Sequence, residues 1–166
     1  MVDDERTGQE FLARILDAHA NGFEHGKPLA VALQELHNAK KTKDWIWYVF
    51  PQVKELGRSA ISRRFWVRTC EELSILLGEP AVLAAFTKAF GLAAEAITSG
   101  RAVHLGDIFN HDEQKVVSSA VLFAGYLDRH PIAGAAELHA AAQTLFDVAV
   151  RDGLGCETTE RFLADC

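Results

Sequence analysis

Cysteine is scarce in this chain of 166 residues: three copies, Cys70, Cys156 and Cys166, an odd number with no CxxC spacing. That pattern predicts neither a disulfide scaffold nor a structural zinc site. An excess of basic residues is missing as well. Lys and Arg number 17 against 23 Asp and Glu, for a formal charge of -6. A duplex of nucleic acid needs a basic face, so none is expected as a partner, although two or three arginines suffice for a small phosphorylated ligand. No uninterrupted apolar run approaches the roughly 20 residues of a membrane helix, and no membrane association is expected. The opening MVDDERTGQE is acidic and polar, unlike a secretory leader, which makes the cytoplasm the expected location. GxSxG, Walker and GxGxxG patterns are absent, and the seven histidines form no HExxH pair. No metal and no cofactor is expected, and no catalytic residue can be named.

Strand signals are equally thin. WIWYVF, residues 45–50, has β-type composition but no alternation, and no Asn-Gly or Asp-Gly joins two β-like runs. Helix signals dominate. Thr7 with Glu10 and Thr69 with Glu72 read as capping boxes. Pro28, Pro51, Pro80 and Pro131 each stand where a helix can begin, while Ser99-Gly100 and Gly153 read as stops. Ser59 caps a short helix through Trp66, and Thr158 or Thr159 starts a last turn. The expected fold is all-α: a compact multihelical bundle of about seven to nine helices, several short. Residues 1–166 form one domain, with residues 1–6 a flexible N-terminus.

Three segments carry candidate chemistry. KDWIWYVFPQ, residues 43–52, holds Trp45, Trp47, Tyr48 and Phe50, too much aromatic surface to leave in water. It reads as core, or as the floor of a ring-binding pocket with Gln52 as a polar tip. In HDEQKVVSSAVLFAGYL, Lys115, Ser118 and Ser119 share a helix stripe bordered by Asp112. One ammonium beside two hydroxyls suits a phosphate or carboxylate, and the plainer account is a solvated face. In GRSAISRRFW, Arg58, the helix start at Ser59, and Arg63 suit an anion, against the plainer account of a capped surface helix. A buried Gln52 needs partners, so Lys115, Ser118, Ser119 and Asp107 are expected beside it in one concavity.

KDWIWYVFPQ with ELGRSAIS, EELSILLGEP and GDIFNHDEQKVVSSAVLF together resemble the bacterial domain-of-unknown-function 1810 family, over roughly residues 11–123. The resemblance implies an all-helical fold and no established activity. Its pattern carries onto Trp45, Trp47, Phe50, Pro51, Gln52, Gly57, Ser59, Asp107, Lys115, Ser118 and Ser119. The chain departs from it at Asp44, Phe65 and Ala85, where histidine, tyrosine and arginine are usual, and is one residue short between Asp107 and Lys115. Two functions are expected in competition. One is binding or processing of a small phosphorylated or nucleotide-like ligand of NAD or ADP-ribose type, at Trp45, Trp47, Gln52, Arg58, Ser59, Arg63, Asp107, Lys115, Ser118 and Ser119. The other is a non-enzymatic module that docks an unidentified protein partner through an aromatic patch.

Overall fold

Thr7 opens the first helix as its sequence predicts. Its hydroxyl accepts from the Glu10 N–H, and the Glu10 carboxylate returns to the Thr7 N–H at 2.8 Å. In the computed structural model, which describes residues 5–166, helix α1 spans Gly8–Asn21 and α2 spans Leu29–His37. The aromatic segment forms a four-residue turn, α3, Ile46–Val49. Then come α4 (Ala60–Phe65), α5 (Cys70–Gly78), α6 (Pro80–Thr98) and α7 (Leu105–Phe109). A 3-10 turn at Asn110–Asp112 leads into α8 (Glu113–Arg129), followed by α9 (Ala136–Arg151) and α10 (Glu157–Ala164). The described residues thus hold nine helices of five residues or more plus two shorter turns, α3 and the 3-10 turn. They contain no strand, only isolated bridges between Phe23 and Gly26 and between Val53 and Val67. The all-α fold is as expected.

The core explains why WIWYVF is not a strand. Its aromatics are taken up by helix faces, and the backbone closes locally, Phe50 N–H to Ile46 carbonyl at 2.9 Å. Phe50 sits 4.6 Å from Phe90 of α6 and 5.1 Å from Phe109 of α7, centroid to centroid. Phe90 and Phe86 in turn flank Phe123 of α8. Trp45 and Phe50 are fully buried, whereas Trp47 is only half-buried. His19 of α1 is drawn into the same interior and donates from Nε2 to the Tyr48 carbonyl at 2.7 Å; burial holds its pKa below the ordinary histidine value. Around this centre α8 packs on α9, α6 on α9 and α2, α1 on α5, and α10 on α8. Leu163 of α10 lies so close over Gly125 of α8 that a Cβ there would meet its Cδ1 at 2.6 Å.

Several expectations need correction. Pro80 is the first residue of α6 and Pro28 precedes α2, but Pro51 and Pro131 open no helix: Pro51 enters the extended stretch ending at Val53, and α9 starts five residues beyond Pro131. The last helix begins before Thr158, at Glu157. The box at Thr69 is half-formed, because Glu72 is engaged elsewhere. Helix α6 is long and apolar enough to cross a membrane, but it buries Val82, Phe86, Ala89, Phe90 and Ala93 against its neighbours. Residues 1–4 of the expected flexible N-terminus lie outside the described residues. Arg6 is not loose: its side chain is 1% exposed and bridges Glu72. Finally, Cys70 and Cys166 form a disulfide, with Cα atoms 5.7 Å apart, which leaves Cys156 as the odd thiol. The helical pairing of α10 with α8 places its end beside the start of α5, a long-range proximity that cysteine counting cannot register.

Candidate functional site

The residues singled out by sequence fall into separate places. Ser118 and Ser119 do not face water: both are buried in α8. The Ser118 hydroxyl donates to the Gln114 carbonyl at 2.9 Å, while the Ser119 hydroxyl has no hydrogen-bond partner among the described residues. Lys115 points back along the helix to Asp112 Oδ1 at 2.8 Å, and Asp112 Oδ2 takes a second ammonium, that of Lys41, at 2.7 Å. Asp112 and Lys41 are both about 5% exposed, and Lys41 lies over the Trp45 ring. Burial opposes ionisation of Asp112, yet the two lysines outweigh it and hold the carboxyl below its ordinary value. This Lys41–Asp112–Lys115 group is a closed ionic knot beneath the aromatic core.

The remaining candidates serve local structure. Trp45 exposes no face, and its indole N–H donates to Glu35 Oε1 at 2.7 Å. Trp47 packs edge-on against His25. Exposed Asp107 accepts from the N–H groups of His104 and Val103 at the start of α7, and those bonds hold its pKa down. Ser59 accepts from the Ser62 N–H and caps the six-residue α4, with Arg58 and Arg63 exposed beside it. Gln52 and Lys115 share no hydrogen bond; Gln52 contributes its carbonyl, which accepts from Val67 N–H at 2.8 Å.

That carbonyl marks the start of a different site. The chain after Pro51 runs beside residues 66–68, tied by Val67 N–H to Gln52 and by Lys54 N–H to the Val67 carbonyl at 3.0 Å. The Trp66 indole N–H donates to the Leu56 carbonyl and closes the intervening loop. Gly57 turns that loop at φ +83°, where a Cβ would meet Ser62 Oγ at 2.7 Å, so both backbone and space require glycine. The paired segments present Lys54 and Glu55 on one side and Arg68 and Thr69 on the other.

Glu72, 6% exposed, organises this corner. Its two oxygens receive Arg6 Nε and a terminal Arg6 nitrogen, each at 3.0 Å, and Oε2 also accepts the Arg68 N–H at 2.8 Å. Arg6 further donates to the carbonyls of Arg64 and Trp66, and its guanidinium lies 3.9 Å from the Phe11 ring centroid. Burial pulls the Arg6 pKa below its usual value, against the opposing pull of Glu72.

Two cavities flank the corner. One, of about 470 Å³, lies between the start of α5 and α10, with Val53, Arg68, Thr69, Thr158, Arg161 and Phe162 in its walls. The other, of about 870 Å³, includes Arg6, Glu10, Trp66 and Glu72. They share Lys54, Glu55, Arg68 and Thr69, so they are two halves of one groove. Arg68 also reaches a third hollow, of about 290 Å³, beside Arg63, Arg64 and Phe23. In the smaller half the cations Lys54, Arg68 and Arg161 stand against the carboxylates Glu55 and Asp165, with two threonine hydroxyls and the apolar walls of Val53 and Phe162. The chemistry is that of a pocket for an anionic group carried on an apolar or planar body. Sequence reasoning missed Lys54, Arg68, Thr69, Arg161 and Phe162. The opposing wall is far away in the chain, and the one local signal was Arg68 standing immediately before a helix cap.

Residues 9–149 match a family described as a protein of unknown function, DUF1810. The fold is shared with the crystal structure of the conserved hypothetical protein Rv1873 from Mycobacterium tuberculosis. The TM-score is 0.70 and the identity 24%, over 92% of this chain and 94% of that one. No curated protein matches the chain.

Proposed function

The chain belongs to the DUF1810 family, and from that premise we propose that its groove binds a small anionic molecule, a phosphorylated or nucleotide-like compound of the NAD or ADP-ribose type. One observation carries this reading: Arg68, with its backbone N–H held by the buried Glu72, stands in the walls of three neighbouring cavities. A guanidinium so placed can meet a phosphate bidentately. Lys54 and Arg161 add charge, Thr69 and Thr158 add hydroxyls, and Phe162 with Val53 offers the apolar wall that a ring requires. A volume of about 470 Å³ lies within the range of small-molecule sites. No reaction is assigned to the groove.

Docking of a protein through an aromatic patch has less to support it. Trp47 is half-buried, and among the described residues the exposed large hydrophobics are Val103 and Val150. Cytoplasmic residence belongs to the proposal only together with a disulfide that cycles, because reducing compartments keep thiols reduced.

A thermal-shift screen over nucleotides, NAD derivatives, ADP-ribose and sugar phosphates tests the groove. A compound present at about one hundred times its Kd stabilises the fold by about 2.7 kcal/mol. Arg68→Gln is expected to remove that shift, and Lys115→Ala to keep it, each measured against the variant's own melting temperature. The opposite pattern would move the site to the Lys115 helix and end the groove reading.

A further inference from the structure

We infer that the Cys70–Cys166 disulfide is a redox latch that holds α10 in place as one wall of the groove. This inference deepens the anion-site reading and rests on it for the ligand, though not for the motion. Cys70 is the first residue of α5, directly after its cap Thr69, and Cys166 follows α10. The smaller half of the groove lies between these two elements: Thr69 and Cys70 line it from one side, and Thr158, Arg161, Phe162 and Asp165 from the other. Whatever fixes α10 against α5 thus fixes the distance between Arg68 and Arg161.

The rest of α10 is held from a different direction. Its buried side chains are Thr159 and Leu163, and it packs on α8, where Arg129 donates to the Leu163 carbonyl at 2.5 Å. Two buried side chains are a small anchor for a helix of eight residues. Cutting the sulfur bridge leaves α10 seated on α8 but removes its covalent tie to α5. Both bridged cysteines are partly exposed and within reach of a small thiol. The third cysteine stands apart: Cys156 is buried before α10, where its sulfur accepts from the Thr159 hydroxyl at 3.1 Å.

The switching step is thiol–disulfide exchange with a dithiol. One thiolate of the dithiol attacks a sulfur of the bridge, the Cys70–Cys166 bond breaks, and a mixed disulfide forms. The second thiol then attacks the reductant's own sulfur in that mixed disulfide, and the reductant departs as a cyclic disulfide. Two electrons and two protons pass to the protein, which is left with thiols at Cys70 and Cys166. A disulfide oxidant reverses the sequence.

The test uses the full chain, oxidised and then reduced with dithiothreitol, with the thiol count verified by alkylation and mass measurement. Amide exchange and binding of inorganic pyrophosphate are followed in both states. Reduction is expected to speed exchange in residues 157–164 about tenfold or more while α8 stays protected, and to weaken pyrophosphate binding about fivefold or more. Reoxidation is expected to restore both. Cys166→Ser is expected to behave as the reduced protein in either condition, and Cys156→Ser as the parent. Because the wild-type chain is compared with itself, the test survives a variant that folds poorly. Equal exchange of α10 in the two states overturns the latch even if pyrophosphate binds. Full alkylation of Cys70 and Cys166 in the oxidised protein also overturns it. Loosening of α10 with pyrophosphate bound in neither state supports the latch and overturns the anion site.

Discussion

Two carboxylates in this molecule sit almost out of water, each held by cations, and they have opposite surroundings. Asp112 is clasped by the ammoniums of Lys41 and Lys115 under the aromatic core. Glu72 is clasped by the Arg6 guanidinium and the Arg68 N–H at the edge of a groove. The first arrangement places two point charges on one carboxylate, so the group closes on itself. The second uses a planar fork that spends further donors on two carbonyls and thereby fixes the backbone next to a cavity. Lysine and arginine are not interchangeable in these settings. Burial of charge alone does not mark a site; what matters is whether the buried pair leaves neighbouring groups facing open space.

The largest effect expected from breaking this contrast is at Asp112. Asp112→Ala leaves buried Lys41 without its counter-charge, and a loss of about 3–5 kcal/mol in denaturant-monitored stability is expected. A loss below about 1 kcal/mol would show that Lys41 swings out to water and that the knot holds nothing.

Acid sharpens the same contrast. The folded-state pKa of Asp112 is depressed below its ordinary value of 3.8. Its contribution to stability is therefore complete above the unfolded-state value and is lost as pH falls through the lower folded value. Asp112→Asn is expected to lack that part of the acid-induced loss, seen as a flatter stability profile below about pH 4. A profile parallel to the parent's would assign the acid sensitivity to other carboxylates.

The smallest effect is expected at the groove. Arg68→Gln keeps the backbone N–H that Glu72 uses, so the loss of stability should stay near the ordinary cost of a substitution, about 1 kcal/mol, and well below that at Asp112. A loss above about 2 kcal/mol would place Arg68 with Asp112, as a residue that holds the fold.

Much of the architecture is legible because its signals are local. The Thr7 box, the Ser59 cap, Pro80 at the start of α6, and Gly100 and Gly153 past helix ends all act within one turn of the residues that announce them. Burial of Trp45 and Phe50 follows from area alone. The helix wheel draws the Lys115 stripe correctly but assigns it the wrong surroundings: a wheel shows which residues share a face, not what covers that face, and α8 is buried nearly all round. The groove and the disulfide are illegible for a single reason. The smaller half of the groove and the disulfide form where α5 meets α10, and the larger half where the chain start meets α5, and no periodicity within a helix says which distant segment it will meet. Arg6 misleads for the opposite reason: polar composition at a chain start suggests mobility, yet one guanidinium finds a buried carboxylate and two backbone carbonyls.

The seat of Leu163 on Gly125 constrains the order in which this chain can change over generations. A methyl group added at position 125 would enter the space of the leucine Cδ1, at 2.6 Å. Overpacking of that kind costs about 1–3 kcal/mol unless the neighbour yields. A lineage that enlarges position 125 first has to turn the tip of the Leu163 side chain out of the space the new methyl takes. A lineage that first shortens position 163 passes instead through a small void, which an alanine in place of Gly125 then fills. Descendants with the Gly125→Ala change are thus expected to carry either a re-turned leucine or a smaller residue at position 163, two positions that sequence distance would treat as independent.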